Sequence, residues 1–156
     1  MTRRAYAWLA LGAVVLAVAI GTWFVSFGAL SGSPKINPND PEQEALGRQI
    51  YAGHCAMCHG DNLEGQPDWK TRKPNGRLPA PPHDASGHTW HHPDQQLMLI
   101  TKKSLSAVVP GYESDMPSFE GVLTDREIAA VLAYIESRWP SEIQERQRQL
   151  TRQAGG

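Results

Sequence analysis

Cysteine is scarce in this chain. Its 156 residues contain two, Cys55 and Cys58, with only Ala56 and Met57 between them. That excludes a small fold stapled by several disulfides. Charge of one sign is lacking as well. Lys and Arg number 15 against 16 Asp and Glu, for a net charge of -1, so no basic excess points to nucleic acid. No alternating strand pattern of useful length, no internal repeat and no phosphate-binding glycine loop is present. Hydrophobic residues make up 40% and charged residues 20%, which rules out a disordered or collagen-like chain. The length suits one domain of ordinary size and not comfortably two. Proline (12) and glycine (14) are plentiful, so part of the fold must be ordered loop.

Ala5–Leu30 is a run without charge. At about 1.5 Å per helical residue it reaches roughly 39 Å, more than the hydrocarbon core of about 30 Å. Arg3 and Arg4 precede it, and Trp8 and Trp23 lie near its ends. The positive-inside rule keeps the N-terminus in the cytoplasm and exports the rest. The run is longer than a signal peptide needs and reads as an uncleaved anchor over 1–30. Ser26-Phe27-Gly28 and Ala29-Leu30-Ser31 leave cleavage open as the alternative. Either way residues 31–156 lie outside the cytoplasm.

Residues 31–40 (SGSPKINPND) read as a linker. A first helix is expected from Pro41 to about Gly53, capped by Asp40, with Glu42 and Glu44 matching its dipole and Leu46 and Ile50 on one face. Residues 60–92 lack periodicity. An irregular stretch of that length is acceptable only if it wraps something large. A second helix runs from Pro93 to about Lys103, with Leu97, Met98, Ile100 and Thr101 inward. The strongest begins at Thr124, where Thr124-Asp125-Arg126-Glu127 is a capping box, continues through Ile128, Val131, Leu132 and Ile135, and is stopped by Pro140. Residues 141–156 form a charged tail, helical by propensity. Glu142 and Arg146 are spaced for a pair, and sparse apolar residues imply a solvated face.

Cys55-Ala56-Met57-Cys58-His59 is C-x-x-C-H, the attachment pattern of a c-type haem. Two thiols on one turn of chain can reach both vinyl groups of a porphyrin, and the next residue offers an imidazole to the iron. Three other readings fit less well. A thioredoxin-like pair needs a preceding strand. A zinc site needs two more ligands, which His83, His88, His91 or His92 would have to supply. A local disulfide leaves His59 without a role.

The second axial ligand must come from elsewhere. Met57 lies between the cysteines and points away from the iron. Met98 is explained by core filling. Met116 sits in an irregular loop before Pro117, with Phe119 close by, and is the preferred ligand; a histidine of the 83–92 cluster is the alternative.

The segment from about Pro41 to Trp139 resembles a class I cytochrome c. The resemblance rests on Cys55-Ala56-Met57-Cys58-His59-Gly60, on Leu78-Pro79-Ala80-Pro81-Pro82, on Met116-Pro117-Ser118-Phe119 and on the terminal helix with Tyr134-Ile135 and Trp139. It implies an all-α fold of three to four helices around one covalent haem c, here preceded by one transmembrane helix. It implies that the first and last helices cross near Gly47 and Tyr134, with Tyr51 nearby. It also implies that a proline carbonyl, Pro81 or Pro82, accepts the second N–H of His59. The cofactor-binding set is then Cys55, Cys58, His59, Met116 and Pro81, with His59 and Met116 on the metal. His88-Thr89-Trp90-His91-His92 and the tail after Pro140 fall outside the general pattern.

The function expected is one-electron transfer on the outer face of the cytoplasmic membrane, between redox protein partners. With both axial positions filled, no small-molecule substrate turns over, and the chain is read as a carrier and not an enzyme. The alternatives are a fixed haem subunit of an oxidase or dehydrogenase complex, a catalytic or sensing haem with Met116 labile, and metal binding by the histidine cluster.

Overall fold

Asp40 starts the first helix as its sequence position predicts. Its carboxylate accepts from the backbone N–H groups of Glu42 (3.0 Å) and Gln43 (3.2 Å), two donors that the first turn would otherwise leave unpaired. The computed structural model describes residues 34–155. The apolar run Ala5–Leu30, and with it the expected membrane helix, lies outside them. Among the described residues, no helix is long and apolar enough to cross a membrane.

In chain order the helices are α1 (Pro41–His54), α2 (Ala56–His59), α3 (Asp94–Lys103), α4 (Leu105–Val108), α5 (Asp125–Ser137) and α6 (Ser141–Ala154), with a 3-10 turn at Thr89–His91 before α3. No strand occurs among the described residues. The all-α expectation therefore holds for this part of the chain.

The core is built on α5. Every residue from Ile128 to Glu136 is buried. The capping box forms as expected: Thr124 Oγ1 accepts from Glu127 N–H (3.2 Å), and Glu127 Oε2 accepts from Thr124 N–H (2.7 Å). Helix α1 crosses α5 with almost nothing between the backbones. A Cβ on Gly47 would collide with the carbonyl oxygen of Ala130 and lie 2.6 Å from its carbon and 2.8 Å from Tyr134 Cβ. Beside this contact the rings of Tyr51 and Tyr134 sit 5.4 Å apart, and at the rim Arg138 reaches Glu44 at 2.6 Å.

Residues 34–40, the described part of the expected linker 31–40, are held at the start of α1 and do not hang free. Gln43 accepts from Asn37 N–H (2.7 Å) and donates to the Lys35 carbonyl (2.9 Å), while Ile36 packs on the core. The tail is not simply solvated either. Gln147 of α6 is 1% exposed, and its amide donates to Asp94 Oδ1 at 2.6 Å. Thr151 donates to the same oxygen at 2.9 Å. Arg146 lies over Trp90 instead of pairing with Glu142, and Glu145 takes Arg148 and Arg152. Apart from Ile143, which packs against the core, the docked face of α6 is polar at Gln147 and Thr151, so hydrophobic periodicity gave little sign of its docking.

In the last turn of α5, Glu136 is 4% exposed, with Oε1 unpartnered. Burial, reinforced by Asp94 and partly offset by Arg148, pushes its carboxyl from 4.5 up to about 8. The unfolded chain thus releases a proton that the folded chain retains, and stability falls as pH rises from 4.5 toward 8. Glu136→Gln is expected to flatten that fall and to raise stability at neutral pH by up to about 3 kcal/mol. Urea midpoints of both proteins at about pH 5 and about pH 8 check this.

Candidate functional site

Helix α1 hands the chain directly to the cysteine motif. Cys55 caps α1, its N–H donating to the Tyr51 carbonyl at 2.9 Å, and His59 N–H closes the next turn on the Cys55 carbonyl at 2.9 Å. The motif therefore coils into α2, with both cysteines and His59 on one turn. Cys55 is half-buried and Cys58 exposed, and no disulfide joins them. Burial, with Cys58 adding, pushes the Cys55 thiol up to about 11. Met57 is 92% exposed, in keeping with its expected outward direction.

His59 is buried at 8% exposure. Its Nδ1 lies 2.8 Å from the carbonyl oxygen of Pro81. A carbonyl can only accept, so Nδ1 carries the proton and Nε2 keeps its lone pair. Burial lowers the imidazole pKa and the Pro81 bond partly opposes this, so the ring is neutral at pH 7. A neutral imidazole with its Nε2 lone pair available, next to two cysteines that no disulfide ties up, is the donor set a covalent haem requires.

The sequence left Pro81 and Pro82 open as acceptors. The loop backbone brings Pro81 to the ring. Gly65, at φ +69°, donates to the His59 carbonyl at 2.7 Å, and Gln66 N–H donates to the Ala80 carbonyl at 2.9 Å. A Cβ on Gly65 would strike the nitrogen of Pro82 and lie 2.6 Å from the carbonyl carbon of Pro81. Only glycine permits both that backbone angle and that approach.

Met116 is half-buried and packs against the core, as does Met98. Its loop is tied at several points. Ser104, at the end of α3, donates to the Met116 carbonyl at 2.7 Å. Phe119 and Glu120 N–H both donate to the Lys102 carbonyl, at 3.0 and 2.9 Å. Asp115 binds Lys73 and Arg77, each at 2.6 Å, which joins the methionine loop to the loop after the cysteine motif. These two cations hold the Asp115 carboxyl below its usual range. Nothing in local sequence marks Asp115 as their shared partner, because Lys73 and Arg77 are distant in the chain.

The remaining histidines have other partners. His88 stacks on Trp69 (5.6 Å, 6°), His91 on Trp90 (3.7 Å, 26°), and His92 meets Gln96 at 3.2 Å. Among the described residues no group of three His, Cys, Asp or Glu is placed to hold a metal ion, so the zinc alternative finds no support in that region. His83 is different: its ring stacks on His59 with centroids 3.9 Å apart and 23° between planes. Desolvation, with His59 and then His88 nearby, holds its pKa well below the usual value. Sequence reading did not foresee this contact.

A family model described as cytochrome c matches residues 44–139. The chain is 29% identical over 109 residues to the cbb3-type cytochrome c oxidase subunit FixP of Bradyrhizobium sp. (strain ORS 278), an alignment covering 70% of this chain and 31% of that protein. It is 34% identical over 92 residues to cytochrome c6 of Tetradesmus obliquus, covering 58% of this chain and 85% of that one. The chain thus spans less than a third of FixP. No solved structure matches it.

Proposed function

Since the chain belongs to the cytochrome c family, carries covalent haem c and transfers electrons through it, we propose that Cys55, Cys58, His59 and Met116 hold the haem of a membrane-anchored electron carrier. Cys55 and Cys58 would hold the haem covalently, each thiol adding across one vinyl group to leave one thioether bond. His59 would ligate the iron through Nε2, and the Pro81 carbonyl keeps the proton on Nδ1 and would strengthen the donor. Met116 would supply a second ligand through its thioether sulfur, a neutral donor suited to both oxidation states. The bound haem supplies one reversible electron at a potential raised by Met/His ligation.

The observation that carries this reading is the His59–Pro81 bond immediately after the two cysteines, which leaves Nε2 free for a metal. Ala5–Leu30 anchors the chain in the cytoplasmic membrane, with the haem domain in the periplasm or outside the cell, where it meets redox protein donors and acceptors. Similarity to an oxidase subunit favours a second reading, in which the domain is a fixed member of such a complex.

Membrane extraction followed by mass spectrometry tests the proposal. The expected product is the full chain plus one haem, retained in acidified organic solvent, and Cys55→Ser/Cys58→Ser is expected to lose it. A mass equal to the bare polypeptide contradicts the attachment. A soluble product starting near Leu30 contradicts the anchor. Stable co-purification with oxidase subunits selects the second reading.

A further inference from the structure

We infer that His83 is a positioning residue for His59, fixing the plane of the axial imidazole; this rests on the reading of His59 as the iron ligand. A bond from Nε2 to iron is nearly symmetric about its own axis and does not by itself choose the angle of the ring. The Pro81 carbonyl holds one edge of the His59 ring through Nδ1. The His83 ring covers one face, 3.9 Å away and within 23° of parallel. Edge and face together leave the ring little freedom to turn.

His83 can serve as a wall because it is itself held. Its Nδ1 meets Thr89 Oγ1 at 2.8 Å, and Thr89 is buried. Its N–H donates to the Leu63 carbonyl at 2.8 Å. Its carbonyl accepts from Trp139 Nε1 at 2.8 Å, which links the wall to the end of α5. An aliphatic side chain could fill the same space. It could not present a flat face or bond to Thr89. The angle of an axial imidazole decides which iron d orbital holds the unpaired electron of the oxidised state, and so its magnetic anisotropy and its spread toward the haem edge.

The test is electron paramagnetic resonance of the oxidised, low-spin holoprotein, with redox titration. His83→Leu removes the flat face and is expected to shift the g values and the potential while the iron stays low-spin. His83→Phe restores the face without the Thr89 bond and is expected to return the g values toward wild type. Thr89→Val is expected to broaden the signal by loosening the wall. It also serves if His83→Leu does not accumulate. A purely packing role would change thermal stability alone, so wild-type g values and potential in His83→Leu overturn the inference, as does an unbroadened signal in Thr89→Val. His59→Ala separates the two levels. If it leaves the low-spin signal unchanged, His59 is not the ligand and both readings fall. If it abolishes the signal while His83→Leu leaves it untouched, only the positioning role falls.

Discussion

Gly47→Val is expected to yield no folded, haem-bearing protein. The atoms that the new side chain would meet are the carbonyl group of Ala130 and the Cβ of Tyr134. These belong to the backbone of α5 or lie next to it, so no rotamer change can clear them. Overpacking where side chains can yield costs about 1–3 kcal/mol. Here the two helices must separate, and with them the core of Ile50, Tyr51, Val131 and Tyr134. A domain with net stability of about 5–15 kcal/mol does not survive that loss comfortably. Gly53 is the internal control. It lies in the same helix with nothing within 4 Å of an added Cβ, so Gly53→Ala is expected to stabilise by about 0.5–1 kcal/mol. Circular dichroism and covalent haem content of the two variants, made side by side, check both expectations. Equal yields of folded holoprotein would mean that α1 and α5 do not meet at Gly47.

Met116→Ala is expected to change the chemistry more than the fold. With Met116 as the proposed second ligand, removing the thioether would leave the iron one protein ligand short. The reduced protein should then bind carbon monoxide, the weak near-infrared sulfur-to-iron band of the oxidised protein should vanish, and the potential should fall. The loop should keep its course. Its anchors are the Ser104 hydroxyl on the Met116 carbonyl, the Lys102 carbonyl and the Asp115 ion pairs, none of which uses the methionine side chain. Met98→Ala provides the contrast. It removes a side chain packed against the core, costs about 2 kcal/mol, and leaves the band in place. A band lost in Met98→Ala and kept in Met116→Ala would exchange the two assignments.

Much of this was readable from sequence because it is local. The Asp40 cap, the Thr124–Glu127 capping box and the C-x-x-C-H turn each depend on residues within one or two helical turns. The close approach of α1 and α5 came through the family resemblance, and the contact at Gly47 supplies its physical reason. What escaped depends on contacts between distant segments. The acceptor for His59 stayed open between Pro81 and Pro82 until the left-handed turn at Gly65 brought the first of them to the ring. The docking of α6 escaped because Gln147 and Thr151 bury a polar face, bound to Asp94, where periodicity looks for apolar residues. The stacking of His83 on His59 escaped because the spacing between a histidine at a helix end and one in a distant loop says nothing about their rings.

A haem held by both His59 and Met116 would be a closed centre that carries electrons and binds no exogenous ligand. Carbon monoxide added to the dithionite-reduced wild-type protein tests it most directly. The expected result is a low-spin reduced spectrum that carbon monoxide leaves unchanged, because with the proposed ligation His59 and Met116 would leave the iron no open position. Ready formation of a carbon monoxide adduct would contradict it, and would make the chain a sensing or catalytic haem protein instead.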